Sequence, residues 1–250
     1  MAPDPGEVAA LRAARARVLE GIAAAARRVG REPGDVTLVA VSKTVPAARL
    51  RAALAAGLSL FGENRVQEAL AKVDAVPGAA WHLVGPLQAN KARRAVAAFD
   101  LVETVDSIAL AARLDRLAAE LRPGRRLPVL LEVNIDADPA KAGFRPEALS
   151  TSLPDLLDLP NLDLRGLMTV GRLVVDAEAA RPTFVALRRL SEVLRARDPL
   201  LGPDLSMGMS DDFRVAVEEG ATFVRVGRAI FGERVDHDHG PSGADHHHGT

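Results

Sequence analysis

The sequence lacks several residue types on which active sites commonly depend. It contains no cysteine, which excludes disulfides, thiolate metal sites and a cysteine nucleophile. It contains no tyrosine, so a tyrosine base is excluded as well. Of its 6 histidines only His82 lies outside the C-terminal tail, so a histidine base would have to be His82. These absences narrow the choice of reactive side chains.

The sequence also lacks an excess of charge and a long hydrophobic run. Lys+Arg 32 and Asp+Glu 33 leave a formal net charge of -1, so the composition indicates no broad basic surface for nucleic acid. No apolar run reaches the length of a membrane span, and the acidic start at Met1–Glu7 does not resemble a signal peptide. We therefore expect a soluble cytoplasmic protein. Its 250 residues, 48% of them hydrophobic, suffice for a full core.

Eight short apolar runs alternate with amphipathic stretches. The apolar runs, which predict strands, are Val36–Val41, Ser59–Phe61, Trp81–Val84, Leu101–Thr104, Leu127–Ile135, Leu164–Val170, Asp204–Met207 and Thr222–Val226. The stretches with helical periodicity are Gly6–Val29, Pro46–Ala56, Arg65–Val73, Gln88–Ala98, Ser107–Leu121, Pro146–Leu157, Asp176–Ala196, Asp211–Glu219 and Arg228–Arg234. Strands that alternate with helices pair in parallel through right-handed crossovers.

This alternation predicts one α/β domain over residues 1–234, a single (β/α)8 TIM barrel with an extra N-terminal helix. The helix after the eighth strand is short, so we expect the opening helix to cover the gap. A doubly wound open sheet is the alternative. Against it, no G-x-G-x-x-G follows a strand and no G-x-x-x-x-G-K-S/T is present.

The last residues differ in composition from the rest of the chain. Residues 235–250 contain five histidines among aspartates and glycines and almost nothing apolar, so we expect this tail to be disordered. Such histidines can chelate a divalent metal. A solvated tail is the simpler interpretation, and no metal site is predicted.

Lys43 ends the first apolar run. An ammonium group at the end of a strand is costly to bury unless it has a partner or a chemical role. A desolvated lysine loses its proton more readily and can attack a carbonyl group to form a Schiff base. The alternative is that Lys43 only marks the point where the strand reaches solvent. The run alone does not decide between the two.

Polar residues also follow the seventh and eighth strands. The Ser210 hydroxyl, backbone N–H groups and a helix N-terminus can together hold an anion, and Gly227 allows a ligand to approach the backbone closely. An ordinary N-cap at Ser210 and a tight turn at Gly227 are the alternatives. Phosphate sites built from these two loops recur in (β/α)8 barrels. Taken with Lys43, they favour a phosphate-bearing aldehyde such as pyridoxal 5′-phosphate (PLP), with Arg225 near its pyridine ring.

Six segments resemble, in order, those of the pyridoxal-phosphate homeostasis proteins (the YggS/PROSC family). They are Val41–Thr44, Phe61–Asn64, Trp81–Gln88, Gly166–Met168, Leu205–Asp212 and Arg225–Gly227. The resemblance spans roughly residues 36 to 234. It implies a barrel like the N-terminal domain of alanine racemase, with PLP linked to Lys43 as an internal aldimine.

The resemblance implies a phosphate site formed by Ser210 and by the backbone at Gly227 and Arg228. Two residues depart from the family pattern. Arg228 stands where many members carry a small hydroxyl residue, which removes a side-chain donor to the phosphate and adds a charge. Arg65 stands where many members carry tyrosine.

The resemblance also implies the residues around the cofactor ring. Arg225 is expected to face the pyridine nitrogen, where a cation keeps that nitrogen unprotonated and weakens the ring as an electron sink. Asn64 and Met168 are expected to line the ring, and His82 and Ser206 to be neighbours.

The resemblance implies a monomer that keeps PLP available and passes it transiently to apo-enzymes, without strong catalytic turnover. The sequence supports this role independently. Alanine racemase-type chemistry needs a lysine base and a tyrosine base on opposite faces of the cofactor, and this chain has no tyrosine.

Two other functions stay open. One is a PLP-dependent amino-acid racemase-like enzyme that uses Lys43 as a single base. His82 is conceivable as a second base, but a structural histidine packed beside Trp81 is the favoured interpretation. The other is an aldolase-like barrel that forms a Schiff base with a sugar phosphate and uses no PLP.

Overall fold

The chain closes into a barrel of parallel strands. A computed structural model describes residues 2–171 and 175–233. The strands in these residues are β1 (Thr37–Val41), β2 (Leu60–Glu63), β3 (Ala80–Leu83), β4 (Leu101–Val105), β5 (Leu127–Glu132), β6 (Leu162–Met168), β7 (Asp204–Ser206) and β8 (Phe223–Val226). Each strand pairs in parallel with the next, and β8 pairs with β1. The closed order confirms the TIM-barrel prediction and excludes the open doubly wound sheet.

Helices follow the strands and surround the barrel. Those in the described residues are α1 (Pro5–Arg28), α2 (Ala47–Ala55), α3 (Val66–Val73), α4 (Ala92–Ala98), α5 (Ile108–Leu121), α6 (Pro146–Leu157), α7 (Arg181–Arg197), α8 (Phe213–Glu218) and α9 (Arg228–Phe231). None of the described helices combines the length and apolar character that crossing a membrane requires. The tail at 235–250 and the predicted domain end at residue 234 lie outside the described residues.

The opening helix α1 completes the ring of helices beside the short α9. It begins after Asp4, whose carboxylate accepts a hydrogen bond from the Glu7 N–H at 2.9 Å. Its buried face, which includes Leu11, Val18 and Ile22, packs against α2, α8 and α9. The expectation that the opening helix covers the gap left by the last helix is therefore confirmed.

An apolar layer of side chains lies inside the barrel. Leu101 of β4, Leu130 of β5 and Met168 of β6 pack together, and Phe223 of β8 packs against them. The much larger core lies between the strands and the surrounding helices. This division follows from the alternation of side chains along a strand, which sends successive residues to opposite faces.

A charged layer lies above the apolar one, toward the carboxyl ends of the strands. Along β5, Leu130 belongs to the interior layer and Leu131 to the outer core, so Glu132, the last residue of the strand, faces the interior again. Glu103 of β4 and Arg225 of β8 likewise stand two positions beyond Leu101 and Phe223. The mouth of the barrel is therefore lined from below by charged groups.

Candidate functional site

The residues predicted to bind a cofactor lie at one end of the barrel, where the active sites of such barrels are built. Lys43 follows β1, Asn64 follows β2, His82 lies in β3, Met168 ends β6, Ser206 ends β7, Ser210 lies between β7 and α8, Arg225 lies in β8, Gly227 follows β8, and Arg228 begins α9. Contact of each of them with a ligand stays a prediction.

Lys43 is half-buried in the turn between β1 and α2. Its ammonium has no hydrogen-bond or ion-pair partner within residues 2–171 and 175–233. The turn is held in place, because Thr44 has a φ of 65° and its N–H donates to Glu68 Oε2 at 3.4 Å. An unpaired lysine on this turn is available to react with a carbonyl group once its ammonium has given up a proton to water.

A buried ion pair supports this turn. Lys72 Nζ of α3 donates to Glu63 Oε1 at 2.5 Å and to the backbone oxygen of Ser42 at 2.8 Å. The Ser42 hydroxyl donates to the same carboxylate oxygen at 2.6 Å. Burial raises the pKa of Glu63, and hydrogen bonds from Lys72 and Ser42 oppose that rise. Lys72 and Glu63 thus fix the residue that precedes Lys43.

A chain of hydrogen bonds crosses the barrel interior and centres on Glu103. His82 Nδ1 lies 2.8 Å from Glu103 Oε1, and the Ser206 hydroxyl donates to Glu103 Oε2 at 2.5 Å. Arg225 donates from Nη1 to the Ser206 hydroxyl at 2.6 Å and from Nη2 to the Thr169 carbonyl at 2.8 Å. The chain joins β3, β4, β7 and β8 and holds the guanidinium in one orientation.

The charges in this chain are mutually compensated. Burial acts to raise the pKa of Glu103, but the hydrogen bond and charge of His82, together with Arg225 and Ser206, outweigh it and hold that pKa below its usual value. Burial lowers the pKa of Arg225, and Glu103 is the largest opposing charge. Arg225 keeps its proton regardless, because a guanidinium does not lose it in proteins. It therefore presents a fixed positive charge to the barrel mouth.

Three of the predicted neighbours of the cofactor ring are deeply buried. Met168 and Ser206 are 0% exposed and His82 is 6% exposed, so they support the mouth from below. The prediction that His82 packs beside Trp81 is wrong. The imidazole contacts the Phe223 ring edge-on at 5.5 Å inside the barrel, because consecutive strand residues face opposite sides.

The loops predicted to hold a phosphate meet each other. The Ser210 hydroxyl, which follows β7, accepts a hydrogen bond from the Ala229 N–H of α9 at 3.4 Å. Arg228 is exposed and its guanidinium binds the carboxylate of Asp211, with Glu233 Oε1 3.6 Å from its Nε. The hydroxyl and the chain just after β8 are therefore adjacent, while the Arg228 side chain is engaged on the outer rim.

Gly208 fixes the course of the first of these loops. Its φ is +91°, and an added Cβ would lie 2.5 Å from Ala216 Cβ. We expect Gly208→Ala to lower the free energy of unfolding by about 2–5 kcal/mol, because strain in φ and a contact with α8 both oppose the methyl group. Gly78→Ala is the matched control, since Gly78 has a φ of +88° and nothing within 4 Å. If urea unfolding gave the same loss of stability for both variants, α8 would move aside at no cost and this prediction would be contradicted.

Sequence reasoning missed the carboxylates of the mouth. Glu103 and Glu132 lie inside the predicted strands Leu101–Thr104 and Leu127–Ile135 and have no role in the sequence prediction, although a charged residue inside an apolar run is a signal in itself. Lys72 was missed because its pattern is that of an ordinary helix surface. Each of the three is buried.

Glu132 stands out among these carboxylates. It is 7% exposed and its Oε2 has no hydrogen-bond partner among the described residues. Burial, with the nearby charge of Asp106, raises the pKa of Glu132 to about 7, and the charge of Arg225 opposes the rise. The mouth therefore contains a carboxyl group that is partly protonated near neutral pH.

The sequence matches a known family over most of its length. Residues 16–235 match the family described as alanine racemase, N-terminal domain. A relative from Pseudomonas aeruginosa, named pyridoxal phosphate homeostasis protein, is 44% identical over 224 residues, which are 88% of this chain and 94% of that protein. A relative of the same name from Escherichia coli is 42% identical over 229 residues, again 88% of this chain and 94% of that protein.

Solved structures share the fold. PipY of Synechococcus elongatus, solved with PLP bound, is 45% identical with a TM-score of 0.74, covering 84% of this chain and 100% of that one. An alanine racemase of Clostridium difficile is 16% identical with a TM-score of 0.65, covering 88% of this chain and 57% of that one. The second likeness concerns the fold alone.

Proposed function

Since this chain belongs to the family of pyridoxal phosphate homeostasis proteins, we propose that it binds PLP and keeps that cofactor available, without strong catalytic turnover of its own. The observation that carries the proposal is the half-buried Lys43 ammonium, which has no partner among the described residues and stands at the barrel mouth. The likeness to PipY, whose structure contains PLP, supports the same ligand.

The donors at the mouth fit a phosphorylated aldehyde. PLP supplies an aldehyde carbon that condenses with an amine, with loss of one water, and a ring that withdraws electrons. Lys43 offers the amine, and the pair formed by Lys72 and Glu63 orients the turn that carries it. Ser210 and the backbone at Gly227 and Arg228 are the proposed phosphate ligands. Asn64, half-buried directly after β2, is the proposed residue at the ring edge.

Arg225 has the proposed role of setting the charge at the pyridine nitrogen. Its terminal nitrogens donate to Ser206 and Thr169, which fixes the guanidinium. A guanidinium has only donor groups and cannot accept a proton. A permanent cation there disfavours protonation of a neighbouring ring nitrogen. His82 is bound to Glu103 within the interior, which supports a structural role rather than that of a second base.

The lack of a tyrosine, and of a free histidine among the described residues, to act as a second base favours a carrier over an enzyme. Tyrosine, which the sequence lacks, cannot supply a base on the far side of the cofactor, and His82 is engaged with Glu103. The competing function is an amino-acid racemase-like enzyme with Lys43 as its single base. Turnover of amino acids by the PLP-loaded protein would favour that enzyme.

We also propose that the protein acts in the cytoplasm as a monomer and meets apo-enzymes only transiently. The large hydrophobic side chains that are exposed in the described residues stand on separate elements, among them Val29 after α1, Ile108 on α5 and Val193 on α7. Scattered residues of this kind do not form an obligate interface. Sedimentation of the PLP-loaded protein at the mass of one chain would support the monomer.

Visible absorption before and after borohydride tests the central proposal. The sequence contains four lysines, Lys43, Lys72, Lys91 and Lys141, so peptide mapping assigns the attachment site without ambiguity. We expect a yellow protein whose band is bleached by borohydride and whose pyridoxyl group is on Lys43. A colourless protein that cannot be loaded with PLP would refute the proposal and favour an aldolase-like barrel for a sugar phosphate.

A further inference from the structure

Glu132 occupies the barrel mouth without a structural role that explains it. It ends β5, on the same interior face as Leu130, and its backbone oxygen accepts the Phe144 N–H at 2.8 Å. Glu132 is only 7% exposed to solvent, yet its Oε2 has no hydrogen-bond partner within the described residues. Buried polar oxygens are normally hydrogen-bonded, so an orphan of this kind points to a missing ligand.

The charges around Glu132 do not make it part of an ion pair. Arg225 acts on it from β8, but the hydrogen bonds of that guanidinium go to Ser206 and Thr169 and its ion pair to Glu103. Asp106 acts on it from the end of β4 and is repulsive. Glu103 and His82, deeper in the interior, satisfy each other. Glu132 is thus the carboxyl group of the mouth for which a neutral acid is the favourable form.

We propose that Glu132 is a ligand-binding acid that enters the PLP complex in its neutral form and donates a hydrogen bond from Oε2 to an anionic oxygen of the cofactor. This inference rests on the proposed function. A neutral acid suits the ligand, because PLP is an anion and would be repelled by a carboxylate. A carboxylic acid keeps its proton when burial and a nearby carboxylate disfavour its charge, which are the conditions at Glu132.

The proposal links PLP binding to a proton. The negative charge of the bound cofactor stabilises the neutral acid further, so binding is accompanied by proton uptake at Glu132 wherever the free protein has lost that proton. Affinity should therefore fall as pH rises through about 7. Glu132→Gln keeps an N–H donor but cannot titrate, so it should lose this dependence. Glu132→Leu has no donor, so it should bind PLP more weakly at every pH.

The experiment measures the Kd for PLP at about pH 6 and about pH 8.5, spanning the Glu132 titration. The protein, Glu132→Gln and Glu132→Leu are compared with Glu120→Gln, a control whose carboxylate is 57% exposed on α5. Titration of PLP itself is common to all four. Between the two pH values, we expect the Kd of the protein and of the control to rise about tenfold or more relative to that of Glu132→Gln.

Thermal unfolding without PLP is the second readout. The pKa of Glu132 in the folded state is raised to about 7, above its value in an unfolded chain. The free energy of unfolding therefore falls as pH rises between these two pKa values. Glu132→Gln should therefore raise Tm at about pH 8.5 and change it little at about pH 4, where an unfolded glutamate is also largely protonated. This readout also shows that the variant is folded when its affinity is measured.

The outcomes separate this inference from the function on which it rests. If the unaltered protein binds no PLP at either pH, the proposed function is refuted. If it binds PLP and Glu132→Gln has the same pH dependence, Glu132 does not act as a neutral donor and the inference is overturned. Unchanged affinity in a folded Glu132→Leu would overturn it as well.

Discussion

Replacement of Lys43 by alanine is expected to abolish covalent, borohydride-fixable attachment of PLP while leaving weaker reversible binding. The amine is the only part of the proposed site that forms a bond to the aldehyde, and the phosphate contacts at Ser210 and Gly227 do not depend on it. Without the covalent bond, Kd should rise by about ten- to a hundredfold, which corresponds to about 1.4–3 kcal/mol. Visible spectra, equilibrium dialysis with PLP and mass spectrometry after borohydride measure both effects.

The other lysines provide controls for this result. Lys141 lies in the loop after β5, but its ammonium donates to the carbonyl oxygens of Val170 and Gly171 at 3.1 and 2.8 Å. Lys91 is half-buried and, like Lys43, has no side-chain partner in the described part of the chain. This likeness makes Lys91→Ala the matched control, and we expect that variant to retain full attachment of PLP. If Lys43→Ala retained it and Lys91→Ala lost it, the assignment of Lys43 would be wrong.

Replacement of Lys72 by methionine is expected to destabilise the protein by about 3–5 kcal/mol, the usual consequence of removing one partner from a buried ion pair. Glu63 is 0% exposed, and its Oε2 already has no partner among the described residues. Without Lys72 its carboxylate would keep only the Ser42 hydroxyl at 2.6 Å. Urea-induced unfolding, followed by circular dichroism, measures the loss.

A second substitution distinguishes an unpaired charge from lost packing. Glu63→Gln removes the charge but keeps an oxygen that can accept from Ser42. The double variant Glu63→Gln, Lys72→Met should therefore be more stable than Lys72→Met alone by about 2 kcal/mol, since residues in one network are not additive. If Lys72→Met lowered the free energy of unfolding by less than about 1 kcal/mol, the pair would contribute no more than a surface ion pair, and this account would be refuted.

The fold was largely predictable because the strands are apolar and the helices amphipathic. Each predicted strand overlaps an observed one, and the errors lie at the ends. The fifth strand stops at Glu132 rather than Ile135, because the Asn134 side chain bonds the backbone of Asp138 and Lys141 and turns the chain. The second strand continues to Glu63, which reads as a loop residue until its partner Lys72 is known.

The site was predictable in its location but not in its electrostatics. Strand ends and turn residues gave Lys43, Ser210 and Gly227 their positions. His82 and Arg225 each bond to a residue of the preceding or following strand, but the bond that links these two pairs was not predictable, because it joins strands far apart in the chain: Ser206 and Glu103 are separated by 103 residues. Only closure of the barrel brings such groups together.

The packing of α1 on helices from the other end of the chain has a consequence for synthesis of the protein. This first helix packs on α8 and α9, Arg28 meets Glu218 at 2.6 Å, and Arg31 binds the carbonyl oxygens of Val217 and Ala221. At about 5–20 residues per second, α8 leaves the ribosome on the order of ten seconds or more after α1. During that interval the part of α1 that packs on α8 and α9 is uncovered and β1 has no β8, so the barrel closes only after β8 has been synthesised. The nascent chain is therefore the form most in need of a chaperone.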